Sequence, residues 1–527
     1  MKRLSLVLIL IASAAGCGVS LLGYTDELFA EAAVYEHALP AAMEQTAAQN
    51  RAFINVEGAD LRTRLDAALK QGRSRSPRTR FWTAYAFDVR PGLGIDVVII
   101  HGNGSQTVLS GVTSGASNRY ETRNVGVFLL HESDGSAVVR AELYNLERPR
   151  EYSGYPVFWL GRGGNEESLG LLRKLIDSAT DRKVAENRTD AIGAHDDPRV
   201  EAMLKELVKG SSMVEVRETA VSWLAHFPGN IDFLSDLVRN EREHRRVREE
   251  AVEAIGHSGD AGAMAALQGL FTSLSDRDLR KEIVEAAAHN EDQEASVSFL
   301  IKVAENEPEG EVRRQAIESM GHKSDRRSFQ SLEKIAADSK SDAHSQREAV
   351  EAIGQREKDQ AVPALTRIAK SHPRMEVRRE ALEALSHMPG QTSFLEEIAL
   401  SEREAPELRA EAIRALGDSP SPDSIRTLEK LYNSIADRRL KQEVINAIED
   451  CSDKAAAVEL LIKIARTEQD RETRARAVST LGDMDEDRAA DSLFDLYNAE
   501  RDEEMKEEVL EALGESSSKR SLQKLID

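Results

Sequence analysis

The sequence predicts a mostly helical protein, an α-solenoid of about eleven helical hairpins preceded by a small antiparallel β domain. A motif returns along the chain with a nearly constant period, and apolar residues within each unit follow helical spacing. In a shorter segment before the repeats, apolar residues alternate with a period of two, as in strands. A chain of 527 residues exceeds one ordinary domain, but a repeat array lengthens without enlarging a spherical core.

The N-terminus has the layout of a secretory signal peptide over residues 1–16. Met1-Lys2-Arg3 precedes a short apolar run that is followed by small residues, and this run is too short to span a membrane. The residues Ala14-Ala15-Gly16-Cys17 resemble the bacterial lipobox, in which the cysteine becomes the lipidated first residue of the mature protein. We therefore predict lipidation at Cys17, with ordinary cleavage nearby as the alternative. Both alternatives place the mature chain outside the cytoplasm, on the periplasmic or extracellular side of the cell envelope.

Residues 17–75 are predicted to form a helical stalk and a basic linker. Apolar spacing indicates a short helix over Ala59–Lys70. The basic run from Arg73 to Arg80 contains a proline and is predicted to be an exposed loop. Contact of this run with lipid headgroups is the alternative.

Residues 76–160 are predicted to form a β domain of five or more strands. Alternating apolar residues begin at Phe81, and apolar runs follow at 96–100, 125–130, 137–146 and 156–160. Glycine-rich turns between them favour short loops and antiparallel pairing. The string from Val97 to Gly104, which contains His101, is similar to a strand and oxyanion loop of α/β-hydrolases. The chain has no G-x-S-x-G elbow, so we predict a strand end and a turn there.

Residues 161–527 are predicted to form the solenoid, fused to the β domain without a flexible linker. The motif is clearest at residues 247–257, which read Val-Arg-Glu-Glu-Ala-Val-Glu-Ala-Ile-Gly-His, and we call the position of Arg248 the anchor. A period of this size is typical of stacked helical hairpins, with the motif on the second helix of each hairpin. The anchors recur every 31 to 33 residues at Ala185, Arg217, Arg248, Arg280, Arg313, Gln346, Arg378, Arg409, Lys441, Arg474 and Lys506.

Local signals predict where each second helix begins and ends. An aspartate four residues before the anchor is expected to cap the helix and to pair with the anchor side chain. These aspartates are Asp276, Asp342, Asp437, Asp470 and Asp502. A glycine near the end of the motif is expected to stop the helix as a C-cap. These glycines are Gly256, Gly321, Gly354, Gly417, Gly482 and Gly514.

The pattern Val-Arg-x-x-Ala-(Val/Ile/Leu)-x-Ala-(Ile/Leu)-Gly at this period resembles the short HEAT repeats of the phycobilisome-lyase-like type. The resemblance implies an α-solenoid whose second helices line a concave face that binds other proteins. It does not imply lyase activity, because HEAT arrays serve many unrelated tasks. Iron hydroxylases built from similar repeats use paired His-Glu dipeptides, whereas His131-Glu132, in the β domain, is the only such dipeptide in this sequence.

Acidic charge is concentrated in the repeats. Residues 166–527 contain 53 Lys and Arg against 76 Asp and Glu, whereas residues 18–165 are almost neutral. This balance argues against nucleic acid as the partner, since phosphate binding needs a basic face. Many of the acids fall two or five places after the anchor and are predicted to form a stripe along the second helices. The candidate partner-binding residues are Glu250, Glu253, Glu282, Glu285, Glu318, Glu348, Glu351, Glu380 and Glu383.

An alternative for the stripe is internal neutralisation. Basic residues stand i,i+4 from several of its glutamates and can pair with them on the same helix. These basic residues are Lys281, Arg314, Arg347 and Arg379.

Three further features are interpreted structurally. The histidines nine places after the anchor are expected to cap helix ends, with a metal ladder or a pH sensor as the alternative. They are His226, His257, His289, His322 and His387. Cys451 is expected to be a small filler just past a second helix. Trp223, Gln346 and Glu449 depart from the repeat pattern, and we expect local repacking at each.

Together these features predict a non-catalytic protein-interaction scaffold in the bacterial cell envelope, without metal or cofactor. The partner is a protein, expected to have a basic surface. The competing class is an enzyme or maturation factor that holds a protein substrate in the solenoid groove. A convergent set of His, carboxylate or Cys side chains in one pocket would favour that class.

Overall fold

A computed structural model describes residues 53–75, 78–100, 106–114, 122, 124–148, 150, 152–308, 310–484, 486–516 and 520. The predicted signal peptide, Cys17, most of the predicted stalk and the turn at His101 lie outside these residues. The chain divides into two compact units, one that ends at Ser296 and one that begins at Val297. In the described part of the chain, no helix is both long enough and apolar enough to cross a membrane.

The described residues of the first unit form seven strands. A five-stranded sheet has the order β1-β7-β2-β5-β6, and β3 pairs with β4 in a separate hairpin. The strands are β1 (Ile54–Asn55), β2 (Phe81–Ala86), β3 (Leu93–Ile100), β4 (Gln106–Ser114), β5 (Val125–His131), β6 (Val138–Asn145) and β7 (Val157–Arg162). The predicted small β domain is therefore confirmed.

The prediction of purely antiparallel pairing is wrong for β7. Antiparallel ladders join β2 to β5, β5 to β6 and β3 to β4, but β7 runs parallel to both β1 and β2. A parallel strand needs a connection that crosses the sheet. The segment after β6 is this connection, and its Tyr152 stacks on Phe128 with ring centroids 5.4 Å apart.

The sheet and the first repeat form one hydrogen-bonded structure. Helix α1 (Leu61–Arg75) packs against β7, so the predicted helix exists but continues into the basic run that was expected to be a loop. The hydroxyl of Tyr85 lies 2.9 Å from Ser168 Oγ, which lies 2.7 Å from His195 Nε2. All three side chains are buried. This chain of polar contacts ties β2 to the first hairpin and confirms a junction without a flexible linker.

Eleven helical hairpins follow among the described residues, as predicted. From α2 onward, even-numbered helices are first helices and odd-numbered helices are second helices, and every anchor lies on a second helix. The helices are α2 (Asn165–Asp177), α3 (Arg182–Gly193), α4 (Arg199–Gly210), α5 (Val214–Leu224), α6 (Ile231–Arg239), α7 (Arg245–His257), α8 (Ala263–Ser273), α9 (Arg277–His289), α10 (Gln293–Asn306), α11 (Glu311–Gly321), α12 (Arg326–Ala337), α13 (Ala343–Gly354), α14 (Lys358–Ser371), α15 (Met375–Ser386), α16 (Thr392–Leu400), α17 (Pro406–Gly417), α18 (Ser424–Ser434), α19 (Arg438–Asp450), α20 (Lys454–Thr467), α21 (Arg471–Asp483), α22 (Asp487–Ala499) and α23 (Glu503–Glu515).

The predicted N-caps are confirmed at all five aspartates. Asp276 accepts hydrogen bonds from the backbone N–H groups of Asp278 and Leu279, and the other four accept from the first turn in the same way. These side chains satisfy donors that have no partner inside the helix.

The anchor side chains Gln346, Lys441, Arg474 and Lys506, however, pair elsewhere than with the preceding aspartate. Arg474 donates from Nε to the carbonyl oxygen of Ala465 at 2.8 Å, in the last turn of the preceding first helix, and forms an ion pair with Glu500. Arg248, Arg313, Arg378 and Arg409 make the same Nε bond to Val238, Ala304, Ala369 and Ala399. The arginine therefore satisfies a C-terminal carbonyl and joins the two helices of its hairpin.

The prediction that the motif glycines are helix C-caps is also wrong. Gly256, Gly482 and Gly514 lie inside their helices, and none of the six has a positive φ. A Cβ atom built on Gly417 would lie 2.5 Å from the carbonyl oxygen of Ala447, and one on Gly482 would lie 2.6 Å from that of Ala512. These glycines allow the second helices of successive repeats to approach closely.

Candidate protein-interaction face

The second helices expose one face, and the predicted stripe lies on it. In α7 the core residues are Ala251, Val252, Ala254 and Ile255, which leaves the second and fifth places after the anchor on the opposite side. The second-place glutamates of the stripe are half-buried. The fifth-place residues Glu253, Glu318, Glu351 and Glu383 are exposed, and Glu285 is half-buried.

The stripe has one segment in each unit. Glu250, Glu253, Glu282 and Glu285 belong to the unit that ends at Ser296. Glu318, Glu348, Glu351, Glu380 and Glu383 belong to the unit that begins at Val297. Each segment is a continuous set of neighbouring second helices, so each presents its own acidic surface.

The i,i+4 pairs that would neutralise the stripe are absent from the described ion pairs. Arg347 instead pairs with Glu380 of the next repeat at 2.7 Å, and Arg379 pairs with Glu411 of the next repeat at 2.7 Å. These two arginines join successive second helices. Their partners lie two places after the next anchor, and Glu380 is half-buried whereas Glu411 is buried. The exposed Glu351 and Glu383 consequently have no ion pair among the described residues.

Four carboxyl groups of the stripe, those of Glu250, Glu282, Glu348 and Glu383, have raised pKa values. Burial, and next the neighbouring Glu253, raise the pKa of Glu250 to about 7. Burial raises the pKa of Glu282 and Glu383, and the adjacent acids Glu285 and Glu380 raise it further. Repulsion between adjacent acids therefore adds to the cost of charging these carboxyls.

The repeat-pattern departures have local structural partners. Trp223 packs over Gly193 and donates from Nε1 to Asp190 Oδ1 at 3.0 Å, and burial raises the pKa of Asp190 to about 6. Gln346 replaces the anchor arginine but still donates to the carbonyl oxygen of Asp338, at 2.9 Å. Glu449 lies inside α19. The role of Asp190 was missed because nothing in the local pattern marks it.

The histidine column lies at the ends of the second helices. His289 Nδ1 is 3.0 Å from the carbonyl oxygen of Glu285, which is the predicted capping contact. His322 and His387 occupy the C-cap positions of α11 and α15. The rings of His257 and His289 lie 6.3 Å apart. Within the described residues, no group of three or more His, Cys, Asp or Glu side chains is arranged to hold a metal ion.

Cys451 follows α19 and is buried, as the sequence predicts. Burial raises the pKa of its thiol to about 12. The thiolate, which is the nucleophilic form, is therefore scarce at neutral pH.

These features define the class of the protein, an α-solenoid of helical hairpins with a charged face on its second helices. The family model for HEAT repeats matches residues 200–288, 297–386, 334–405, 392–470 and 458–527. Because these segments cover more than half of the sequence, the chain belongs to the HEAT-repeat family. No curated protein matches it.

Several solved structures are similar to the chain. Human deoxyhypusine hydroxylase in complex with glycerol is 17% identical over 54% of this chain and 95% of that one, with a TM-score of 0.22. Escherichia coli YibA is 17% identical over 54% and 96%, with a TM-score of 0.29. Kap121p bound to Nup53p is 14% identical over 69% of this chain, with a TM-score of 0.39. The match covers 46% of the Kap121p chain, and these likenesses carry no functional argument.

Proposed function

We propose that this protein is a non-catalytic protein-interaction scaffold of the bacterial cell envelope, and that its acidic second-helix face binds a basic protein partner. The observation that carries the proposal is the pairing of the arginines. Arg347 and Arg379 are used between repeats, so the exposed carboxylates beside them remain available to a partner. HEAT repeats as a class support binding of proteins, and complementary charge would attract a basic segment to this face.

The envelope location is proposed from the N-terminal sequence. Residues 1–16 have the layout of a signal peptide, and Cys17 follows residues that resemble a lipobox. A lipid anchor at Cys17 would hold the repeats at a membrane surface while leaving their acidic face open to other proteins.

Charge reversal on the stripe tests the binding proposal. We expect the combined variant Glu318→Lys, Glu351→Lys and Glu383→Lys to lose most of its affinity for a Lys- and Arg-rich peptide, measured by fluorescence anisotropy. Binding by the parent should weaken as salt is raised, because exposed charges are screened within about 8 Å at physiological ionic strength. Circular dichroism should show unchanged helix content.

A matched control changes the same number of charges away from the second-helix face. Glu357, Asp359 and Glu402 are exposed, lie on or before a first helix or in a loop, and can be reversed to Lys together. This control should retain most of the affinity. An equal loss of affinity in both variants would show that only the net charge of the protein matters, which would contradict a specific binding face. Equal affinity of the stripe variant and the parent would refute the proposal.

A further inference from the structure

A groove on the second helices near the end of the array differs in composition from the rest of the acidic face. It lies across α19, α21 and α23 and has a volume of about 490 Å³. Its lining includes Arg439, Asn446, Ala475, Arg476 and Ser479, with Glu443, Glu472 and Glu508 also in contact with it. The groove therefore brings two guanidinium groups next to three carboxylates.

The sequence explains why a groove forms at this place. Asn446 and Ser479 occupy the fifth place after their anchors, where the five repeats from Arg248 to Arg378 carry glutamate, and both are shorter than glutamate. Ala475 occupies the first place, where Lys281, Arg314, Arg347 and Arg379 stand in four earlier repeats. Removal of these long side chains leaves a depression between adjacent helices.

Two guanidinium groups line this depression. Arg476 donates from Nε to Asn446 Oδ1 at 2.6 Å, which orients the group and leaves its other N–H donors for a ligand. Arg439 is exposed and has no hydrogen bond or ion pair among the described residues. A guanidinium presents a planar set of donors that matches a carboxylate.

The surrounding acids limit which ligand fits. Glu472 is paired with Arg438 at 2.9 Å, and Glu443 lies 3.8 Å from Arg414, but Glu508 has no ion pair among the described residues. A strongly anionic ligand would be repelled by these carboxylates. A ligand segment that contains one acidic side chain flanked by basic residues fits better. Its carboxylate would lie between Arg439 and Arg476, and its basic residues would lie near the carboxylates of the groove.

We propose that this groove binds an Asp or Glu side chain of the partner protein, within a segment whose flanking residues are basic. The proposal rests on the proposed function and adds a position-specific contact to it. Attraction by the acidic stripe would bring the segment to the face, and the carboxylate would set the register in which it lies along the helices.

The test is a double-mutant cycle with synthetic peptides. The peptides are short and rich in Lys and Arg. Each has a single Glu at one position, the series covers every position, and a matched peptide has Gln in place of that Glu. We expect one position at which Glu binds the parent about threefold more tightly than Gln, the size expected of a partly exposed ion pair. Combining Arg439→Gln with Arg476→Gln should abolish this preference, and the cycle removes the general effect of changed net charge.

A control variant carries Arg326→Gln and Arg403→Gln, two exposed arginines outside the groove, and should keep the preference for Glu. If the parent binds basic peptides but shows no preference for Glu at any position, this inference is wrong and the proposed function stands. If the preference survives the groove variant, the inference is again wrong. If the parent binds none of the peptides, the proposed function and the inference both fail.

Discussion

At the scale of single residues, Glu250 shows that the fold makes a charged carboxylate on the acidic face unfavourable. Its carboxyl is half-buried on α7, and burial followed by repulsion from Glu253 raises its pKa to about 7. The ordinary value is 4.5, so the folded state binds the proton more tightly than the unfolded state. The charged carboxylate therefore costs stability above about pH 7, and this cost is relieved as the pH falls toward the ordinary value.

We expect Glu250→Gln to stabilise the protein at about pH 8 by about 1 kcal/mol, after allowance for solvent screening, because the amide removes the penalised charge. Most of this gain should be absent at about pH 5, where the parent carboxyl is already protonated. Thermal unfolding at both values measures the effect. Glu351→Gln, at an exposed position, is the control and should change the melting temperature little. A gain for Glu250→Gln that does not depend on pH would contradict this explanation.

At the scale of helices, contacts between a glycine and an alanine hold successive second helices close together. Gly417 and Gly482 face the backbone of the following second helix, at Ala447 and Ala512. At Gly514, in the second helix of the last described hairpin, an added Cβ would meet no atom of the described residues within 4 Å. At Gly417 and Gly482 the following second helix therefore leaves no room for a methyl group.

This difference predicts opposite effects of one substitution at equivalent places. Gly417→Ala and Gly482→Ala should each destabilise by about 1–3 kcal/mol, because the methyl group overlaps backbone atoms that cannot move away easily. Gly514→Ala should be neutral or stabilise by about 0.5–1 kcal/mol through helix propensity. Urea unfolding of the three variants compares them directly. Similar stabilities would show that the glycines are not needed for helix approach.

At the scale of the whole chain, the sheet serves as the N-terminal end of the repeat array. Asn187 of α3 donates to the carbonyl oxygen of Ala141 in β6 at 2.7 Å, and the buried contacts of Tyr85, Ser168 and His195 join the same elements. Terminal repeats of a solenoid lack one neighbour and need a cover for their apolar side. The sheet supplies this cover for the first hairpin.

The proposed anchor makes a prediction for the mature chain. We expect mass spectrometry of the protein isolated from a bacterial membrane fraction to show an acylated N-terminus at Cys17, because the preceding residues resemble a lipobox. The variant Cys17→Ser should lack the acyl group and leave the membrane fraction. An unmodified N-terminus downstream of Cys17 would disprove the anchor and leave export intact.

The sequence by itself determined the number of hairpins, the position of the motif on the second helix of each hairpin, and the aspartate N-caps. These features depend on residues within a few positions of one another, and eleven agreeing copies outweigh the irregular ones. The strands from Phe81 to Leu160 were likewise predictable from alternation. The parallel position of β7 was not, because it depends on a crossover whose path no local pattern encodes.

Only the tertiary structure decided what the repeated side chains contact. Arg474 could have paired with Asp470 on its own helix, but the folded hairpin brings the carbonyl of Ala465 within reach. Arg347 likewise reaches Glu380 in the next repeat, which leaves the exposed Glu351 available to a partner. Each arginine has one possible partner on its own helix and another about thirty residues away in the sequence. Only the packing of successive helices decides which partner lies within reach.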